Sequence, residues 1–159
     1  MPDPGSPDIV IDTTMGGSMA AQKITVFTTV PVPPERAWGL YTDPHAVTQW
    51  NFASDDWCCP SASTDLKVGG VHRARMEARD GSFGFDFEGS YTEVDAPHAL
   101  TLLLGDGRQS RTTFQHVPGG TRVETSFDAE GQNPVEMQRN GWQAILDNYR
   151  RHVEKTAAR

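Results

Sequence analysis

The sequence predicts an α+β fold: a curved antiparallel sheet of about six or seven strands wrapped around one long C-terminal helix, with two short helices after the first strand. Three observations carry this expectation. The segment Asn133 to Glu154 repeats apolar residues at helical spacing. The middle of the chain is a run of β-prone segments punctuated by Asp-Gly and Pro-Gly-Gly turns. Between that run and the first strand lie two short helical segments, the second opened by a cap and a first-turn proline, Asp43-Pro44.

The first strand is KITVFTTV, Lys23 to Val30, rich in β-branched residues. Pro31, Pro33 and Pro34 end it. Glu35 to Tyr41 then forms a short helix presenting Ala37, Trp38 and Tyr41. Asp43 caps a second short helix that starts at Pro44 and carries Val47 and Trp50. The stretch NFASDDWCCPSASTDLKVGG is less regular and holds one strand and a loop. From Val71 onward strands follow one another. Asp80-Gly81 separates VHRARMEAR from FGFDFEGSYTEV, a strong hairpin signal. Asp106-Gly107 divides ALTLLL from QSRTTFQHV, and Pro118-Gly119-Gly120 introduces TRVETSFDA. Gly89, inside a long strand, predicts a bulge or bend.

In the final segment, NPVEMQRNGWQAILDNYRRHVE, Asn133 is placed to cap the helix and Glu136 to complete a capping box. Val135, Trp142, Ile145, Leu146, Tyr149 and Val153 share one face. Arg150, Arg151 and Lys155 lie near the negative end of the helix dipole. Such a helix runs roughly 30 Å at ~1.5 Å per residue and needs a broad apolar surface beneath it. Gly141 is expected to allow a close approach to the sheet. A curved sheet gripping a helix encloses space, which side chains fill or a ligand occupies.

The length of 159 residues fits one domain, expected over residues 21–157. Residues 1–20, rich in Pro, Gly, Asp and Ser, read as a disordered leader or an expression remnant, with a short strand at Ile9 to Ile11 as the alternative. A formal net charge of -7 argues against general nucleic-acid binding. No apolar run approaches the ~20 residues needed to cross a bilayer, and no secretory signal opens the chain. A cytoplasmic protein without membrane insertion is the expectation. Cys58 and Cys59 are adjacent, a geometry that disfavours a disulfide, and read as ordinary reduced thiols. The histidines at 45, 72, 98, 116 and 152 have no metal-ligand spacing, and there is no CxxC, GxGxxG, P-loop or G-x-S-x-G motif. No metal or cofactor is expected.

The candidate site is the apolar interior. Phe83, Phe85 and Phe87 alternate and are expected on one strand face. Leu102, Phe114 and Phe127 are placed to join them from neighbouring strands, and Trp142 and Tyr149 from the helix. Trp50, Phe52 and Trp57 are expected around the mouth. His72 and Met76 share a face, where His72 would orient a ligand carbonyl or carry a proton. Gln138 falls on the apolar stripe of the helix, where an idle amide is costly to bury. Each of these also has an ordinary structural role available. Asp86 and Glu88 face away from the phenylalanines, where Arg73 and Arg75 are suitable cross-strand partners. Asp55 and Asp56 read as loop-capping residues.

PPERAWGLYTDPHAVTQW (Pro33 to Trp50), LKVGG (Leu66 to Gly70), DGSFGFDFEGSYTEV (Asp80 to Val94) and GWQAILDNYRRHVE (Gly141 to Glu154) together resemble the helix-grip superfamily of START and Bet v 1 proteins, also called SRPBCC. Within it the likeness is to proteins named after the activator of Hsp90 ATPase, the AHSA1-like group, over about residues 22–155. The resemblance implies a helix-grip fold with a cavity between sheet and helix. The superfamily includes carriers, receptors, cyclases and oxygenase domains, so fold alone selects no function. The group's namesake carries an additional amino-terminal domain that contacts its chaperone, and its role is not expected to transfer without one. The expectation is a protein binding a small hydrophobic or amphipathic ligand, whether lipid, polyketide-like or aromatic. A cavity enzyme of cyclase, lyase or hydrolase type and a chaperone-associated interaction protein are the alternatives.

Overall fold

The computed structural model describes residues 22–157, so the expectations for residues 1–20 lie outside the described residues. The order is β1 (Lys23–Val30), α1 (Pro34–Thr42), α2 (Pro44–Val47), β2 (Trp57–Thr64), β3 (Val71–Ala78), β4 (Gly84–Asp95), β5 (Ala99–Leu104), β6 (Gln109–Val117), β7 (Gly120–Asp128) and α3 (Val135–Ala157). The seven strands form one antiparallel sheet in the order β1-β7-β6-β5-β4-β3-β2. Six strands from β2 to β7 form a meander, and β1 closes the far side against β7. Gly81 and Gly107 turn two of the hairpins with φ of 79° and 91°, where a side chain would be strained.

Alternation decides which face is inside. In β1, Ile24, Val26, Thr28 and Val30 are buried while their neighbours are exposed. In β7 the buried set is Thr121, Val123, Thr125 and Phe127, and in β6 it is Ser110, Thr112 and Phe114. Helix α3 lies across this concave face and packs chiefly on β1, with α1 also against it. Its residues Leu146, Tyr149 and Val153 enter the core with Trp38, Val47 and Trp50. Full burial of side chains such as these contributes roughly 1.5–3 kcal/mol each.

Several local expectations change. The second helix is only four residues long, and Trp50 lies in the turn beyond it. Asp43 caps it as expected, its Oδ2 accepting from the Ala46 amide at 3.0 Å. The long strand has its register shift between Tyr91 and Glu93, not at Gly89. Gly89 is regularly paired with His72 and Leu104, and a Cβ there would lie 3.1 Å from Leu104 Cδ2. Close packing, not a bulge, explains that glycine. Gly141 is the reverse case: a Cβ on it would meet nothing within 4 Å, so no close approach to the sheet occurs there. Asn133 does not cap α3; its amide instead donates to Glu130 Oε2 at 2.5 Å. Glu136 pairs with Arg139 and forms no capping box.

Candidate functional site

A cavity of about 230 Å³ lies between the sheet and α3. Its floor comes from the inner faces of β1 and β3 to β7, through side chains such as Val26, Met76, Phe87, Leu102 and Thr125. Trp142, Ile145 and Leu146 of α3 form the roof, and Tyr41, Val47 and Trp50 close one side. The roof follows from helical spacing, since residues three and four apart share a face. Phe127 stacks on Trp142 with ring centroids 3.9 Å apart and planes at 13°, while Phe87 meets Trp142 edge-on at 6.3 Å. Trp142 is thereby held as a fixed aromatic wall.

Among the described residues no Asp, Glu, Lys or Arg lines this space. Its polar groups are His72, Tyr91, Tyr41, Thr42, Asn51, Ser110 and Thr125, besides the indole nitrogens. His72 Nδ1 is 3.2 Å from Thr64 Oγ1, which is 2.6 Å from the Tyr91 hydroxyl. Burial lowers the His72 pKa from 6.5 to about 4, so the imidazole is neutral at pH 7. Burial also raises the Tyr91 phenol, with the Thr64 bond acting in the opposite direction. Deeper inside, the Tyr41 hydroxyl is 3.3 Å from Thr112 Oγ1, which is 2.8 Å from Thr125 Oγ1. Tyr41 is likewise held neutral by burial.

Of the residues singled out from sequence, Trp50, His72, Met76, Phe85, Phe87, Leu102 and Trp142 line the cavity. The other seven do not. Phe114 fills the core against Trp38 and Tyr41, and Phe127 backs Trp142. Tyr149 is fully buried, and its hydroxyl donates to the Ala37 carbonyl at 2.7 Å. Phe52 borders a separate surface groove with Asn148 and Arg151, and its carbonyl accepts from Asn148 Nδ2 at 2.6 Å. Trp57 packs outside the cavity, edge-on to Phe83 and Phe85 at 6.0 and 6.1 Å. Phe83 precedes β4 and is exposed, so it does not continue the inner row. Gln138 clamps the loop before α3: its Oε1 accepts from the Glu130 amide, and its Nε2 donates to the carbonyls of Glu130 and Asn133. The buried amide is satisfied by backbone and is not directed at a ligand.

Sequence reasoning missed Tyr41, Asn51, Tyr91, Ser110 and Thr125 as site residues. Each is polar, and their inward direction depends on strand register and on how α1 and the following turn pack. The alternation Ser110, Thr112, Phe114 was a usable signal for an inward row. The charge pairs were legible: Arg73 bonds Glu88, and Arg75 lies 3.5 Å from Asp86, all on the outer face. Asp55 and Asp56 are exposed, their carbonyls bonded to Arg79. Both cysteines are free, and burial pushes the Cys59 thiol up, away from reactivity. Among the described residues no cluster of three His, Cys, Asp or Glu is close enough to hold a metal, and no helix is long and apolar enough to cross a membrane.

A family profile described as "Activator of Hsp90 ATPase homolog 1-like protein" matches residues 31–154. The chain belongs to this family. The solution structure of the AHSA1-like protein from Aeromonas hydrophila is 40% identical, covering 87% of this chain and 96% of that one, with a TM-score of 0.81. A Cytophaga hutchinsonii protein is also 40% identical, over 86% of this chain and 94% of its own, at a TM-score of 0.73. The crystal structure of a Nitrosomonas europaea protein shares the fold at 18% identity, with 86% and 97% covered and a TM-score of 0.74. No curated protein matches. The AHSA1-like assignment and the gripped helix agree with an SRPBCC-type, Bet v 1-like fold.

Proposed function

We propose that this AHSA1-like protein binds a small hydrophobic or amphipathic molecule in the cavity beneath α3. The observation that carries the reading is an apolar space roofed by a rigid Trp142 and furnished with a few neutral polar groups. At about 230 Å³ it lies below the ~300–1,000 Å³ range of drug-sized sites, which favours a compact ring compound over a long-chain lipid. Affinity would come from apolar burial at roughly 25 cal/mol per Å².

Titration with a neutral naphthalene probe, read by quenching of Trp142 and Trp50, is expected to saturate at one site. Leu102→Phe, which extends a ring into the cavity, is expected to weaken that binding at least ~10-fold, about 1.4 kcal/mol. A response that never saturates, or one indifferent to Leu102→Phe, contradicts the proposal. Native mass spectrometry of the purified protein adds an independent reading through any co-purified mass.

Turnover is the second reading, carried by the hydrogen-bonded row His72–Thr64–Tyr91 at the cavity wall. It requires His72→Gln to abolish product formation while ligand affinity survives. Binding ranks above it because, among the described residues, no carboxylate lines the cavity with the histidine to complete a catalytic set. A chaperone-linked role rests on the family name, and stimulation of Hsp90 ATPase by the purified protein is its direct assay. The free thiols of Cys58 and Cys59 support placing the protein in a reducing compartment, the cytoplasm.

A further inference from the structure

Ser110 stands out among the cavity residues. It is only 4% exposed and lies on the inner face of β6, between Leu102 of β5 and Phe127 of β7. Its backbone belongs to the ladder, yet among the described residues its side-chain hydroxyl has no hydrogen-bond partner. Buried hydroxyls are normally paired, and leaving one idle costs stability. A serine kept unpaired on a cavity wall indicates a partner that enters from outside the chain.

A second set of hydroxyls adjoins it. Tyr41 bonds both Thr112 and Thr125, and Thr112 Oγ1 is 2.8 Å from Thr125 Oγ1, so these three O–H groups satisfy one another. Thr112 is two residues along β6 from Ser110 and so points to the same face, with Thr125 directly opposite it on β7. Ser110 and the Tyr41–Thr112–Thr125 set thus form one patch of hydroxyls, in which, among the described residues, Ser110 is the donor left to offer. Among the described residues no cation or carboxylate lines the cavity to balance a charged head group, and an unpaired charge in such a site is strongly disfavoured.

Resting on the ligand-binding role proposed above, we infer that the patch around Ser110 is a subsite for an uncharged oxygen acceptor, such as the carbonyl of an aromatic ketone or ester. It selects neutral oxygenated ring compounds over both hydrocarbons and carboxylates of the same size. Trp142, Phe87 and Leu102 hold the ring, and the hydroxyl patch fixes where its oxygen points.

Benzophenone, diphenylmethane and 4-benzylbenzoate separate these possibilities: a ketone, the hydrocarbon that lacks its oxygen, and a carboxylate built on that hydrocarbon. The native protein at pH 7 is expected to bind benzophenone about 10-fold more tightly than diphenylmethane, and 4-benzylbenzoate more weakly than either. The infrared carbonyl stretch of bound benzophenone should fall relative to its value in an apolar solvent. Ser110→Ala should erase most of the ketone preference and of that infrared shift, with hydrocarbon affinity intact. Its ligand-free thermal midpoint should hold or rise, because the group removed has no partner. Equal affinity for ketone and hydrocarbon in the native protein overturns the subsite while leaving cavity binding intact. Binding of neither neutral probe overturns both. A thermal midpoint that falls on Ser110→Ala, with the ketone preference unchanged, assigns the hydroxyl a structural role and also overturns the inference.

Discussion

The two halves of α3 look alike in sequence and do different work. In the C-terminal half Tyr149 and Val153 are fully buried, and Tyr149 meets the rings of Tyr41 and Trp50 edge-on at 5.3 and 5.1 Å. In the N-terminal half Trp142 and Ile145 are only partly buried and border the cavity. Both halves repeat apolar residues at three and four, so periodicity cannot separate a packed face from a ligand wall. What separates them is the layer beneath. The C-terminal half lies over α1 and the aromatic cluster, whereas the N-terminal half spans the open curve of the sheet.

The division is broken most directly by truncating one residue from each half. Tyr149→Ala should lose ~4 kcal/mol of stability in urea denaturation, since it empties a fully packed site and frees the Ala37 carbonyl. Trp142→Ala should lose about half as much while abolishing ligand affinity, because one side of the indole already borders space. Equal losses would mean the helix is packed uniformly.

The cavity wall has its own pH signature. His72 has a folded pKa near 4 against 6.5 for the free side chain, so the unfolded chain binds the extra proton between these values. Stability from this group is complete above pH 6.5 and is lost as pH falls towards 4, by up to ~3 kcal/mol. His72→Gln should flatten that part of the stability–pH curve. An unchanged curve would place the imidazole in a wetter setting than the structure shows.

Smaller effects sharpen the boundary of the site. Gln138→Ala should cost ~1–3 kcal/mol through the loop before α3, and leave ligand affinity unchanged. A loss of affinity without a loss of stability would return Gln138 to the ligand wall. Gly141→Ala should stabilise the protein by ~0.5–1 kcal/mol, because a Cβ there meets nothing and alanine favours the helix. Destabilisation would reveal the close approach that the structure lacks.

The fold was largely legible because its signals are local. Turn dipeptides, β-branched alternation and the apolar stripe of α3 each report on a few neighbouring residues. The site was legible only in its apolar part. Phe85, Phe87, Leu102 and Trp142 could be placed by period, whereas Ser110 and Thr125 needed the β5–β6–β7 register to be read as inward. Phe83 continues the alternation of Phe85 and Phe87 yet falls in the turn, because the Asp80-Gly81 hairpin ends pairing at Gly84. Tyr149 and Phe114 illustrate the opposite error. Their types suit a ligand wall, and tertiary packing uses them as filler. Gln138 shows that a polar residue on an apolar stripe can serve the backbone of an adjacent loop.

The central claim is that the space under the N-terminal half of α3 takes up a neutral apolar molecule. Amide NMR spectra recorded through a benzophenone titration test it directly. The account predicts saturable shifts at Trp142, Ile145, Phe87, Leu102 and Ser110, with Tyr149 to Lys155 undisturbed. Shifts confined to the surface groove around Phe52 and Arg151, or none at saturating probe, would contradict it.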